Sequence, residues 1–221
     1  MLHEPQPAGP TVLSAMMVGM ARTETDTRPS AARLRLLNTA TRLFYAEGIH
    51  SVGVDRIIAE AGVTRATFYR HFPSKDDLIL AYLREVHVME RGLVEAAIAA
   101  NPAPVDSLLG IAGAIAQNVQ SPAFRGCAFL NAAAEYPETG HAVHQEIIAH
   151  RQWFLDTLTT LMAQVHEETA DPAARHFVML RDGAMAAGCL FNPALVSETF
   201  LRGVEGLLRV NTARQSAETD R

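Results

Sequence analysis

The chain has little of what several protein classes require. Its two cysteines, Cys127 and Cys189, stand 62 positions apart and give neither a disulfide framework nor the paired spacing of a zinc site, which fits a reducing cytoplasm. No apolar run approaches the length of a membrane span. The first ten residues hold Glu4 and no Lys or Arg, unlike the positive start of a signal peptide. Aromatic residues make up only 6% and no stretch alternates apolar with polar, which argues against a β-sandwich or barrel. There is no Gly-rich phosphate loop, no GxSxG elbow and no set of nucleophile, base and orienter, so an enzyme is not expected. His141, His144 and His150 with Glu146 hint at a metal site. His141 and His144 lie one helical turn apart, but no second close pair or Cys stands near them, so solvated or helix-capping histidines are expected, with no metal and no cofactor. Cys127 has only Arg125 as a nearby cation and reads as a small buried hydrophobe rather than a redox switch.

What is present is helix. Nearly half of the 221 residues are hydrophobic (48%), with Ala and Leu abundant, which predicts an all-α protein. The net charge of −5 does not by itself suggest a nucleic-acid partner, but it is unevenly spread. Residues 31–75 hold seven Arg or Lys against three acids, a net of +4, and residues 1–30 carry −1, which leaves −8 on 76–221. A basic head on an acidic body points the head at DNA and keeps the body off it.

The head has the grammar of a helix-turn-helix. Residues 55–61 place Ile57, Ile58 and Ala61 at helical spacing, and Gly62 supplies the left-handed residue that ends such a helix. Thr64 is a good N-cap for a second, short helix that Pro73 stops. Ser74 caps the next, with Asp77 at capping-box distance. Phe68 and Phe72, four apart, should turn inward, leaving Arg65, Ala66, Thr67, Tyr69, Arg70 and His71 on the surface. Guanidinium, hydroxyl, methyl and aromatic groups on one short face suit a major groove, although an ordinary surface helix of mixed polarity has the same composition.

AxxLFxxxG (Ala40, Leu43, Phe44, Gly48), VGVDRIIAEAGV (52–63) and TRATFYRHFPSKDDL (64–78) together resemble the DNA-binding domain of the TetR family of transcriptional regulators. The resemblance implies a three-helix DNA-binding head fused to a larger helical domain that binds a ligand and dimerises. Carried over by position, Tyr69, His71 and Lys75 contact phosphates, and Arg65, Ala66 and Thr67, next to the cap Thr64, read bases. GCAFLNAAAEYPETGHAV (126–143), HRQWF (150–154) and LRDGAMAAG (180–188) are similar, more loosely, to the regulatory domain of one TetR subgroup. That likeness puts the last two helices at the dimer interface. The small residues Ala184, Ala187, Gly188, Gly203 and Gly206 independently allow close helix approach there. A symmetric dimer implies an inverted-repeat operator.

Residues 1–30 read as a disordered extension, in which Met16, Met17 or Met20 can be the true start and Arg22 and Arg28 are the only basic residues for an arm. Helix 1 is expected over Ala31–Glu47, with Arg33 and Arg35 off its buried stripe and in reach of phosphates or simply solvated. The head then spans 31–77. A helix from Lys75 to about Ala99 joins it to the body, 78–211, as a lever. Further helices are expected over about 106–119, 124–134 (entered through Ser121-Pro122), 140–168, 172–190 and 193–211. The last two are signalled by Asp171-Pro172 and Asn192-Pro193, and a disordered tail, 212–221, follows.

An effector pocket is expected in the body. Phe124, Cys127, Phe129, Leu130, Trp153, Phe154, Phe177, Met179 and Met185 are its candidate apolar lining, though each also reads as plain core. Asn131, Glu135, Tyr136, His150, Arg151 and Asp182 are the polar candidates. The function expected is a homodimeric repressor that leaves double-stranded DNA when a small molecule binds. Two alternatives stand beside it: a constitutive or activating regulator, and a helical interaction protein with a vestigial head.

Overall fold

A computed structural model describes residues 30–219; the expectations for the N-terminal extension and its start site lie outside this range. Among the described residues there are nine α-helices and no strand: α1 (Ala31–Glu47), α2 (Val54–Ala61), α3 (Arg65–His71), α4 (Lys75–Ala100), α5 (Pro104–Val119), α6 (Ala128–Glu135), α7 (Ala142–Val165), α8 (Ala170–Ala187) and α9 (Pro193–Thr219). The protein is all-α, as its composition implies.

Local chemistry sets the boundaries in the head. The Ser30 hydroxyl accepts from the Arg33 N–H and starts α1. Gly62 ends α2 at φ 62°, ψ 43°, a left-handed conformation that a side chain would strain. Thr64 caps α3 by accepting from the Thr67 N–H, and Phe72 leaves the helix with φ −136° just before Pro73. Ser74 and Asp77 form a reciprocal capping box at the start of α4.

The body departs from expectation at three places. Helix α6 begins at Ala128 rather than 124, because residues 120–127 turn twice and Gly126 sits at φ 84°, which no α-helix accommodates. Asp171 is not a cap: α8 already starts at Ala170, after a 3-10 turn over Glu167–Thr169, and the Asp171 carboxylate bonds Arg175 one turn on instead. Helix α9 continues to Thr219, through most of the segment expected to be a disordered tail. Asn192 does cap α9, accepting from the N–H groups of Ala194 and Leu195 ahead of a first-turn proline.

Two apolar cores result. One lies within the body, between α4, α5, α7, α8 and α9, around Leu108, Ile111, Leu158, Phe177 and Val204. The other begins in the head with Leu36, Leu43, Ile57 and Phe68 and runs without a break through Leu78, Tyr82 and Val86 of α4 to Phe129, Ile147 and Met185. Head and body therefore share packing, and α4 is its spine. Burial of these large side chains stabilises the joint by about 1.5–3 kcal/mol each.

Candidate nucleic-acid interface and ligand cleft

Helix α3 turns Phe68 fully inward and leaves Arg65, Ala66, Tyr69 and Arg70 exposed, with Thr67 and His71 half-buried. Tyr69 is 45% exposed and its ring packs against Phe68 in a T-shaped contact, with ring centres 5.1 Å apart. The Thr67 hydroxyl lies 2.9 Å from that of Thr64, so the cap also orients a residue of the surface face.

The cations of the head divide into two sets. Arg42 and Arg56 interlock with Glu47 and Glu60, and Arg65 pairs with Asp55 on α2. These pairs use all three acids of 31–75 and leave the +4 on Arg33, Arg35, Arg70 and Lys75. The Arg33 guanidinium lies over the Phe72 ring, 5.1 Å from its centre, and His71 Nε2 is 2.9 Å from the Ser30 hydroxyl. Two members of the expected phosphate set carry structural duties as well. Arg35 Nε donates to the Ala61 carbonyl at 3.2 Å, satisfying the C-terminus of α2. Lys75 Nζ donates to the Ile49 carbonyl at 2.7 Å. Burial pushes its ammonium below the usual lysine range, and the Glu135 and Asp76 carboxylates oppose that.

The head meets the body through polar contacts that sequence spacing does not reveal. Glu135, at the end of α6, accepts from the N–H groups of Ile49 (2.8 Å) and His50 (2.5 Å), so it holds the turn after α1 and does not face a pocket. The Tyr45 hydroxyl donates to the Gly126 carbonyl and accepts from the Arg125 N–H, both at 3.0 Å. Asp76, at the head's end of α4, lies 3.4 Å from His141; further along α4, within the body, Arg84 pairs with Glu146 of α7 at 2.9 Å.

Behind this joint, two adjoining clefts open on either side of Glu90 and Asn118. The first, about 410 Å³ including its mouth, is lined by Tyr45, Tyr82, Val86, Met89, Phe124 and the turn through Gly126. The second, about 490 Å³, is lined by Leu93, Val94, Ile111, Ile115, Phe154, Arg181 and Met185. Each encloses room for only a few waters, so a ligand must widen it. Glu90 sits 3.3 Å from His150 Nε2 and 3.6 Å from Arg181, and Arg181 is shared with Asp182 at 3.0 Å. Burial alone would raise the Glu90 pKa, but His150 and Arg181 outweigh it and keep the carboxyl below its usual range.

Some of the residues expected to line a pocket border these clefts, and the others lie elsewhere. Phe124 and Phe154 line them, as does Met185. Cys127, Phe129 and Phe177 are buried in the cores, and Leu130 packs against the first. Asn131 is an exposed residue that donates to the Arg125 carbonyl, and Met179 is 69% exposed on α8. Trp153 packs on His87 and His150, and Asp182 is engaged by Arg151 and Arg181. The histidines resolve differently from one another. His141 caps α7, whereas His150 is not solvated: it is buried, stacked on Phe129 with ring centres 3.5 Å apart. Of the small residues expected between protomers, Ala184 is in the core. Gly188 packs against Val119 and Phe124, and Gly203 against Leu180, so their close approach serves contacts within one chain. A Cβ added at Gly206 would meet no atom of the described residues within 4 Å apart from the nearby backbone of its own helix.

Residues 36–82 match the profile of bacterial regulatory proteins of the tetR family. The crystal structure of a TetR-family transcriptional regulator from Streptomyces coelicolor is 63% identical to this chain. It superposes with a TM-score of 0.81 over 83% of this chain and 97% of its own. The HTH-type transcriptional regulator EthR of Mycobacterium tuberculosis is 33% identical over 98 residues, 43% of this chain and 45% of the relative. The HTH-type transcriptional activator FasR of Mycolicibacterium smegmatis is 42% identical over 52 residues, 24% of each. The chain thus matches less than half the length of these two curated relatives, whereas it spans nearly all of the solved structure.

Proposed function

Because the chain belongs to the TetR family of transcriptional regulators, DNA-binding proteins with a helix-turn-helix head, we propose that it is a homodimeric repressor released from its operator by a small molecule. The observation that carries this reading is the shared wall of the first cleft. Tyr45 of the head and Tyr82, Met89 and Glu90 of the α4 lever line it together with the turn through Gly126 of the body. A molecule that widens this cleft separates Tyr45 from the Gly126 carbonyl and the Arg125 N–H, and so loosens the head where it meets the body.

The same reading assigns Arg65, Ala66 and Thr67 to base edges. It assigns Tyr69, Arg70, His71 and Lys75, with Arg33 and Arg35 from α1, to phosphates. Exposed apolar side chains along α8, its following turn and α9 (Met179, Leu190, Phe191, Leu195, Val210) support pairing with a second copy. Such a dimer sets two recognition helices about 34 Å apart on an inverted repeat. To act as a switch, the effector must favour the splayed state by a few kcal/mol, about 5.5 kcal/mol for a complete reversal of a 99:1 population.

The test is a footprint of the purified full chain on DNA upstream of its own gene, at physiological salt with nonspecific competitor. A protected inverted repeat, lost on adding a cleft ligand, is the expected result. Arg65→Ala should weaken it and relax base choice at one position per half-site. Protection that survives a saturating cleft ligand refutes the release mechanism and leaves constitutive or activating control.

A further inference from the structure

We propose that the first cleft takes an organic cation, a protonated amine or quaternary ammonium group on an apolar body, with Glu90 as its counter-charge. This rests on the effector reading given above and names the chemical class of that ligand.

Charge selects the sign. Glu90 is the one ionisable acid or base among the lining residues of the first cleft apart from the tyrosines; no lysine, arginine or histidine lines it. The guanidinium nearest to it, that of Arg181, lines the second cleft and not the first, and is shared with Asp182, which Arg151 also engages. The Glu90 side chain as a whole is 24% exposed, and the contacts of its carboxylate with His150 and Arg181 are 3.3 and 3.6 Å, at and beyond the outer edge of hydrogen-bond range. A carboxylate so placed still has lone pairs for a donor.

The surrounding groups suit a cation with an apolar body. Tyr45, Tyr82 and Phe124 contribute three rings and Met89 a polarisable thioether, and ring faces attract an ammonium group wherever water is thinned. Both hydrogen-bonding roles of the Tyr45 hydroxyl are already taken by Gly126 and Arg125. Tyr82 has no hydrogen-bond partner among the described residues, and neither has the side chain of Asn118, so each can accept from a ligand N–H. An anion would meet Glu90 with nothing in the cleft to neutralise it. One wall, the turn over 120–127, is not helical and can yield without breaking a helix.

The test uses three probes of one shape and different charge: 4-phenylbutylammonium, 4-phenylbutan-1-ol and 5-phenylpentanoate. Each is titrated calorimetrically into the full-length wild type and into Glu90→Gln. The cation should bind wild type at least about tenfold more tightly than the alcohol, and the carboxylate more weakly than both. Glu90→Gln should erase that order while leaving the alcohol unchanged. Equal or tighter binding of the alcohol or the carboxylate to wild type overturns the proposal, whatever the fate of the variant. So does binding of none of the three, or an unchanged order in a folded Glu90→Gln. The same probes are then added to the operator complex, once a footprint has defined it. Cation binding that depends on Glu90 but leaves the operator complex intact refutes the release mechanism and keeps the ligand class. Release by the alcohol or the carboxylate alone does the reverse.

Discussion

Replacing Glu135 by alanine should unfasten the head from the body. The carboxylate holds two backbone N–H groups of the turn after α1, Ile49 at 2.8 Å and His50 at 2.5 Å, and the His50 ring lies 3.6 Å away. Ile49 is 2% exposed, so its N–H finds no water when the carboxylate is removed, whereas exposed His50 regains one. Hydrogen bonds to a charged acceptor contribute about 1.5–3 kcal/mol each. Counting the Ile49 bond in full and discounting the other gives a loss of about 2–4 kcal/mol. In a chain of this size each kcal/mol lowers the melting temperature by about 2–4 °C, so a fall of roughly 4–16 °C is expected in a thermal melt followed by circular dichroism. Glu135→Gln keeps one neutral acceptor and should fall about half as far. A Glu135→Ala protein that melts within about 1 °C of wild type, or a Gln variant as unstable as the Ala variant, refutes the assignment of this residue as the latch.

Thr64→Ala removes the cap of the recognition helix and should cost about 1 kcal/mol in urea unfolding, with a parallel loss of DNA affinity. Gly188→Ala sets a methyl 2.7 Å from Val119 Cγ1 and 2.9 Å from Phe124 Cε1, and such overpacking should cost about 1–3 kcal/mol in the same assay. Gly206→Ala meets nothing within 4 Å in its own chain, so it should leave monomer folding unharmed; sedimentation on dilution should show weaker pairing if α9 faces its copy. Burial, with the neighbouring charges of His150 and Arg91, holds His87 below its ordinary value of 6.5. The unfolded chain therefore binds the proton more readily, and stability present above that pH is lost as pH falls below it. Melts between pH 7 and 5 should show that slope, and His87→Gln should flatten it.

The sequence made local features legible and left crossings hidden. Gly62, Thr64, the Ser74–Asp77 box and Asn192-Pro193 were readable because a cap is chemistry between residues two to four apart. Asp171 misled because the 3-10 turn before it had already begun the helix, which moved the aspartate inside the first turn. Residues 124–127 differ from expectation because a Phe–Arg–Gly–Cys stretch is compatible with a helix until the φ of Gly126 is known. Glu90 does carry a sequence signal. It lies on the stripe of Val86 and Val94, four residues from each, where a charge is out of place on a buried face. Glu135 carried none, since its partners are 86 and 85 residues away. Gly188 and Gly203 read as interface residues because small side chains mark any close approach, within a chain as well as between chains.

The two polar fastenings of the head differ in kind, and the difference suits a switch. Glu135 holds the turn after α1 with charge-assisted bonds, one of them to the backbone of a buried residue, and lies outside both clefts. Tyr45 holds the loop over 120–127 with two neutral bonds at 3.0 Å and lines the first cleft itself. In the proposed switch, a ligand that widens the cleft would break the second fastening and leave the first. The head would then pivot about the Glu135 latch rather than come away, with α4, packed against both parts, carrying the tilt. Two neutral hydrogen bonds are worth about 1–3 kcal/mol in sum, the range in which coupling between two sites changes affinity about 5–150-fold. The half-exposed contact between Asp76 and His141 does not alter this balance, since such surface pairs add about 0–1 kcal/mol.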